Sequence, residues 1–200
     1  MARYRGPVLK RCRALGISSA ELGQNKTSVR FTKEAKVSRK KASDYSMQLK
    51  EKQKVKFIYG VLEKQFRSYY EKASRQRGVT GENMLVMLES RLDNVVFRMT
   101  IGKTRGQARQ LVNHGLITVN GKRVNIPSFQ VKPGDVVAVC EKSRSLTKFK
   151  TLLEENGKKA CPKWIDKAND SFEGKIVAMP ARDDIDYEVA EHLIVELYSK

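Results

Sequence analysis

The chain has 200 residues, with 40 Lys and Arg against 22 Asp and Glu, a net charge of +18. Hydrophobic residues at 40% and aromatics at 8% suffice for a packed core, which excludes wholesale disorder. No run of about 18 apolar residues offers a membrane-spanning helix, and three scattered cysteines exclude a disulfide scaffold and fit a reducing compartment.

The surplus is uneven: residues 1–78 carry +15, residues 79–150 carry +7 and residues 151–200 carry −4. A surplus of this size points to a polyanion, either nucleic acid or an acidic membrane surface. A membrane-surface protein sets its cations opposite an apolar stripe on one helix. Here they are spread over several segments, which favours nucleic acid. The first residues show no apolar stretch of a secretory signal.

In chain order, residues 1–42 read as a basic arm headed by Arg3, Tyr4, Arg5, Lys10, Arg11 and Arg13. Gly6-Pro7, Gly16 and Gly23 punctuate it, and its apolar residues show no period. Such a segment is expected to order against a folded polyanion rather than by itself. Residues 43–78 read as helix, with Ser43 as N-cap and Phe57, Ile58, Val61, Leu62, Phe66 and Tyr69 at helical spacing. Lys50, Lys52, Lys54 and Lys56 spread around that cylinder as a basic collar, and Gly78 stops the pattern. Thr80 caps a further predicted helix bearing Met84, Leu85, Leu88, Leu92, Val95, Val96 and Met99.

Thr104 then reads as the N-cap of a helix from Arg105 to His114 that stops at Gly115. Asn120-Gly121, between Leu116–Val119 and Lys122–Asn125, signals a hairpin with a type I′ turn. Lys132-Pro-Gly-Asp135 is a second turn feeding the strand Val136–Val139. Beyond it, Leu152 and Leu153 suggest a short helix, Trp164-Ile165 and Lys175–Ala178 suggest strands, and 187–199 return to helical spacing.

The 104–123 segment carries the chemistry. Ala108, Leu111, Val112 and Gly115 share one helix face, while Arg105, Arg109 and Asn113 step along its flank. Gln107, Gln110 and His114 cover the far side. Guanidinium matches phosphate bidentately and keeps its charge. Lys103 and Thr104 at the helix start, Lys122 and Arg123 at the hairpin, and Lys142 and Arg144 after the next strand extend the surface. On this reading Arg105→Ala with Arg109→Ala weakens nucleic-acid binding and leaves the fold intact. His114 and His192 are the only histidines, and Cys12, Cys140 and Cys161 lack metal-ligand spacing, so neither metal nor cofactor is expected. No phosphate-cradling Gly-x-x-x-x-Gly-Lys-Ser/Thr motif occurs. Arg91-Leu92-Asp93 is superficially like the catalytic tripeptide of one class of pseudouridine synthases, but it is expected inside an amphipathic helix.

Ser90-Arg-Leu-Asp-Asn-Val-Val-Phe-Arg98, Thr104-Arg-Gly-Gln-Ala-Arg-Gln-Leu-Val-Asn-His-Gly115, Ile117-Thr-Val-Asn-Gly121 and Lys132-Pro-Gly-Asp135 resemble the RNA-binding module named after small-subunit ribosomal protein four. The flanks, Met1-Ala-Arg-Tyr-Arg-Gly-Pro7, Arg13-Ala-Leu-Gly16, Leu49-Lys-Glu-Lys-Gln53 and Leu193-Ile-Val-Glu-Leu-Tyr-Ser199, resemble the bacterial ribosomal family itself. The similarity covers essentially the whole chain. It implies an α+β fold: a basic arm over 1–42, a helical domain over 43–89 completed by 178–200, and an inserted mixed α/β RNA-binding module over 90–177. It further implies a non-catalytic, cytoplasmic ribosomal constituent that binds 16S ribosomal RNA in its 5′ domain early in assembly. The family sits beside small-subunit protein number five, near the path by which messenger RNA enters, and is implicated in decoding accuracy. Some members bind zinc through four N-terminal cysteines. Only Cys12 stands in that region here, so zinc is not carried over. An RNA-modifying enzyme using the same module, and a DNA-binding regulator, are the rival expectations.

Overall fold

The computed structural model describes residues 4, 6–24, 43–147, 149, 151–152, 161–168 and 171–199. Helices α1 (Val8–Leu15), α2 (Asp44–Tyr59), α3 (Glu63–Ser74), α4 (Thr80–Glu89), α5 (Leu92–Arg98) and α6 (Arg105–Asn113) are followed by strands β1 (Ile117–Val119), β2 (Lys122–Arg123) and β3 (Val136–Val139). Helix α7 (Glu141–Arg144), strands β4 (Ile165–Asp166) and β5 (Glu173–Ile176) and helix α8 (Glu191–Ser199) complete the order. The architecture is α+β, as expected. The chain forms two compact units, Met1–Met84 with Asp186–Lys200, and Leu85–Ile185.

In the first unit, α2 starts where Ser43 Oγ accepts the Ser46 amide at 3.3 Å, the cap read from the sequence. It ends at Gly60, whose φ of 62° turns the chain out of the helix. Leu62 is extended, so the single helix expected over 43–78 is two, α2 and α3. Val55, Ile58, Phe66, Tyr69 and Ala73 form the buried stripe, and α8 packs on α2. Part of the expected arm is ordered as well. Residues 8–15 are helical, and Cys12, Ile17 and Leu22 are buried. Cys12 lies on α1, which packs on α2; Ile17 follows that helix and Leu22 sits in a short 3-10 turn, so too few apolar residues stand together to show a period. Residues 25–42, with the rest of the arm's cations, lie outside the described residues.

In the second unit, an antiparallel sheet in the order β2-β1-β3-β5-β4 carries α5 and α6. Ile117 pairs with Val139 and Val119 with Val137, and all four side chains are buried. Burial alternates along β1, whereas the more central β3 also buries Ala138 between its two valines. Val96, Met99, Leu111, Val112 and Ile176 close the core. The strand expected over 122–125 is only two residues long, because the chain leaves the ladder towards Pro127. The strands read near 165 and 175 form as β4 and β5, the latter starting two residues early. Thr151 and Leu152 are helical, and Leu153 lies outside the described residues. The long helix expected from Thr80 to Met99 breaks at Ser90-Arg91, giving α4 and α5.

The first unit's α2, α3 and α8 meet at Glu63. Its carboxylate accepts from Lys52 at 3.0 Å, Lys56 at 2.5 Å and the Tyr198 hydroxyl at 2.7 Å. Tyr198 stacks on Tyr70 with ring centroids 4.9 Å apart. Burial pushes the Glu63 carboxyl up, but hydrogen bonds from Lys56, Tyr198 and Lys52 and the Lys56 charge outweigh it and hold it at about 2. Burial and the Glu63 contact push the Tyr198 phenol well above its ordinary range. The folded-state value of Glu63 lies below its unfolded value near 4.5, so its stabilisation is complete above 4.5 and is lost as pH falls through about 2. Glu63→Gln is expected to flatten the acid limb of stability in that window. The change is no more than about 1 kcal/mol, since the side chain is half exposed and screened. Urea midpoints recorded from pH 5 down to the acid limit check this.

Candidate nucleic-acid interface

The second unit's candidate interface rests on a buried polar lattice. At the α4–α5 break the Leu92 and Asp93 amides have no partner within their own helix. They donate to the Phe129 and Pro127 carbonyls at 2.8 and 3.1 Å. Arg91, at the N-cap position, pairs with Asp93 through two bonds, Nε to Oδ1 at 3.0 Å and Nη2 to Oδ2 at 2.7 Å. The tripeptide Arg91-Leu92-Asp93 therefore does not lie within one helix. Its carboxylate is 5% exposed and closed by a guanidinium, which leaves no open catalytic acid.

One turn on, Glu89 is 1% exposed and accepts from Arg98 at 2.7 Å (Nη2) and 3.3 Å (Nε). Asn94 Nδ2 donates to the Glu89 carbonyl at 2.9 Å and also to its carboxylate. Asn94 Oδ1 accepts Arg105 Nε at 2.9 Å, and the Arg105 guanidinium lies 4.4 Å from the Phe97 ring centroid. Sequence periodicity put Arg105 on an open flank; instead it is 9% exposed and ties α6 to α5. The flank position faces inward because α5 lies against it and offers both an amide oxygen and an aromatic face. Arg105→Ala is thus no longer a change that leaves the fold intact.

Sequence reasoning missed Glu89, Arg91, Asn94 and Arg98 as a group. The available signal was their presence at 89–98 among Leu88, Leu92, Val95, Val96 and Met99, where charged side chains have too little surface to stay in water.

Outside this lattice, α6 presents its polar side. Thr104 Oγ1 accepts the Gln107 amide at 3.1 Å, the cap expected. Gln107 Oε1 in turn accepts the Lys103 amide at 2.8 Å, so half of the Gln107 amide is committed to holding the helix start. Lys103 and His114 are exposed, while Gln110 and Asn113 are half-buried. Arg109 is a quarter exposed, with Nη1 3.8 Å from Asp93 Oδ2.

The hairpin brings two further cations to the end of α6. Asn120 and Gly121 have φ of 50° and 75°, both positive as the type I′ turn demands. Asn120 is fastened at both ends, Nδ2 donating to Asp135 at 2.8 Å and Oδ1 accepting the Val136 amide at 2.9 Å. Lys122 and Arg123 are exposed. Arg123 Nη2 donates to the His114 carbonyl at 3.0 Å. Its guanidinium lies over Gly115, where a Cβ would sit 2.3 Å from Arg123 Nε. Gly115 thus both turns the helix off, with φ of 64°, and makes room for the fork. A cation at a helix C-terminus is also favoured by the helix dipole. Neither Lys122 nor Arg123 meets a carboxylate among the described residues.

The other expected contacts divide. Lys142 is exposed on α7, whereas Arg144 bonds the Val139 carbonyl at 3.0 Å and lies 3.8 Å from Glu173. In the first unit the collar is largely neutralised within the protein. Lys52 and Lys56 share Glu63, and Lys54 donates to the Glu188 carbonyl and lies 3.8 Å from Glu51. Only Lys50 of that group is exposed. Tyr4 and Lys10 are exposed, Arg11 and Arg13 half-buried, and Arg3 and Arg5 lie outside the described residues. Burial, with the Glu21 charge adding to it, pushes the Cys12 thiol up and away from reactivity. Among the described residues no group of His, Cys, Asp and Glu is placed to hold a metal ion, and no helix is long and apolar enough to cross a membrane.

Substitutions separate scaffold from surface. Glu89→Ala strands a buried guanidinium and is expected to cost about 3–5 kcal/mol. Arg105→Ala leaves Asn94 Oδ1 without its donor and costs about 1–3 kcal/mol. Arg123→Ala, at an exposed position, changes stability by less than about 1 kcal/mol. Urea denaturation of the three variants checks the ranking.

Comparison with known proteins supplies the lineage. The family described as ribosomal protein S4/S9 N-terminal domain matches residues 3–89, and the S4 domain matches residues 90–137. The small ribosomal subunit protein uS4 of Lachnospira eligens is 53% identical over 200 residues, covering 100% of both chains. That of Agathobacter rectalis is 49% identical with the same coverage. That of Clostridium tetani is 59% identical over 163 residues, 82% of this chain and 78% of its own. This chain belongs to the uS4 family of small ribosomal subunit proteins.

Proposed function

We propose that this chain is a primary binder of 16S ribosomal RNA that attaches in the 5′ domain, nucleates small-subunit assembly and contributes to decoding accuracy. Its coarser role follows from its family: it is a structural, non-enzymatic constituent of the small ribosomal subunit and works in the cytoplasm as part of the ribosome. In the finer reading it lies beside small-subunit protein number five, near the path by which messenger RNA enters.

One observation supports the RNA reading above the others. Lys122 and Arg123 are held on a tight turn at the end of α6 and meet no carboxylate among the described residues. The turn fixes the backbone beneath both, and the Arg123 fork is already bonded, so binding costs less order there. Around them, Lys103, Thr104, Arg109, Gln110, Asn113, His114 and Lys142 complete the contact set in the second unit. Lys10 and Lys50 serve in the first. Lys52, Lys54, Lys56, Arg105 and Arg144 act through the fold, and Gln107 does so in part.

A-form RNA offers phosphates, 2′-hydroxyls and shape rather than a readable major groove. Binding is therefore charge-driven and selective for contour. In filter binding to 5′-domain 16S RNA, log K is expected to fall with log salt by about 0.7–0.9 for each phosphate neutralised. Lys122→Ala and Arg123→Ala should each lower that slope by about one. Duplex DNA should compete poorly. A flat salt response, or duplex DNA competing as well as the RNA, refutes the reading.

A further inference from the structure

Tyr4, Arg11 and Phe57 form a small stack in the first unit. The Tyr4 and Phe57 rings meet edge to face, 5.4 Å between centroids at 89°. The Arg11 guanidinium lies 4.9 Å from the Tyr4 centroid and 5.1 Å from that of Phe57. Arg11 Nη2 donates to Gln53 Oε1 at 3.3 Å, which fixes the fork from α2. The chain folds back to bring Tyr4 there. Its hydroxyl reaches the Pro7 carbonyl at 3.5 Å, and its ring lies so close over Gly6 that a Cβ there would meet Tyr4 Oη at 2.7 Å. Gly6-Pro7 thus acts as a seat for the ring. Yet Tyr4 is still 47% exposed. A large ring held in place from several sides but left nearly half in water is built for contact, not for the core.

We propose that this stack is a platform for one unpaired nucleobase of the ribosomal RNA, with the open surface of Tyr4 taking the base. The inference rests on the RNA reading above and adds the ligand class at this site. Three observations carry it. A nucleobase stacks on aromatic faces and on guanidinium planes, and both are here in one unit. The surroundings suit the phosphates on either side of such a base: Lys10 is exposed, and no Asp or Glu occurs in residues 1–20. The guanidinium is already bonded to Gln53 and lies against both rings, so its order precedes binding. A cationic ligand is disfavoured, because Arg11 already occupies the cation position on the ring.

The test uses the full chain and 5′-domain 16S RNA. Tyr4→Leu removes the π-face and should weaken binding roughly tenfold, the loss of one base stack. Its salt slope should stay that of the native chain, because no phosphate contact is removed. Tyr4→Phe should restore binding. Ultraviolet crosslinking of the native complex should join a base to Tyr4. Native-like affinity of Tyr4→Leu, or crosslinks that map elsewhere, overturns the platform. So does an affinity loss that Tyr4→Phe shares, or one that tracks a fall in melting temperature, since that marks a packing role. Failure of the native chain to bind the RNA brings down the broader reading and the platform with it, a result distinct from the Tyr4 outcomes.

Discussion

Buried guanidinium chemistry is the constraint on which the second unit depends. Glu89 and Arg98 pair at 1% and 8% exposure, Asn94 joins them, and Arg105 completes the chain from α4 through α5 to α6. Taking such charges out of water is expensive unless every lone pair and N–H is answered. Here the answers come from three consecutive helices, which fixes their mutual placement more narrowly than apolar packing does. The sheet then sets the other side of α6, and the hairpin inherits its position from both.

This arrangement sorts cations of one chemical type into two tasks. Arg91, Arg98 and Arg105 are internal and hold helices. Arg123 and Lys122 are external and stand on a turn. The same partition runs through the first unit, where Glu63 gathers Lys52 and Lys56 and leaves Lys50 outside. A net charge of +18 therefore overstates what RNA meets. The usable field is set by the cations without carboxylate neighbours.

The sequence is legible where the chemistry is local. Ser43 and Thr104 cap their helices, Gly115 ends α6, and Asn120-Gly121 makes the turn, because each depends on a few adjacent residues. Breaks within long apolar patterns were not legible. Ser90-Arg91 interrupts a helix without a proline, and what stops it is tertiary, the acceptors from 127–129; the break before Val61-Leu62 has a local cause that the apolar spacing masked, Gly60 in the left-handed region. Burial of Arg105 was equally hidden, since helical spacing tells which side of α6 it occupies but not what lies against that side. The ordered helix within the arm escaped because it buries Cys12 alone, and Ile17 and Leu22 lie beyond its end, so no helical period shows.

The fastening of Asn120 bears on how this molecule ages. An Asn followed by Gly is chemically fragile, because the next amide nitrogen can attack the side-chain carbonyl carbon and expel ammonia. That attack needs the carboxamide to swing towards Gly121. Bonds to Asp135 and the Val136 amide hold it the other way. Loss of the amide would set a new carboxylate against Asp135, two like charges at a spacing now filled by a hydrogen bond of 2.8 Å. The turn that carries the outward cations thus guards its own weakest covalent link for as long as β1 and β3 stay paired.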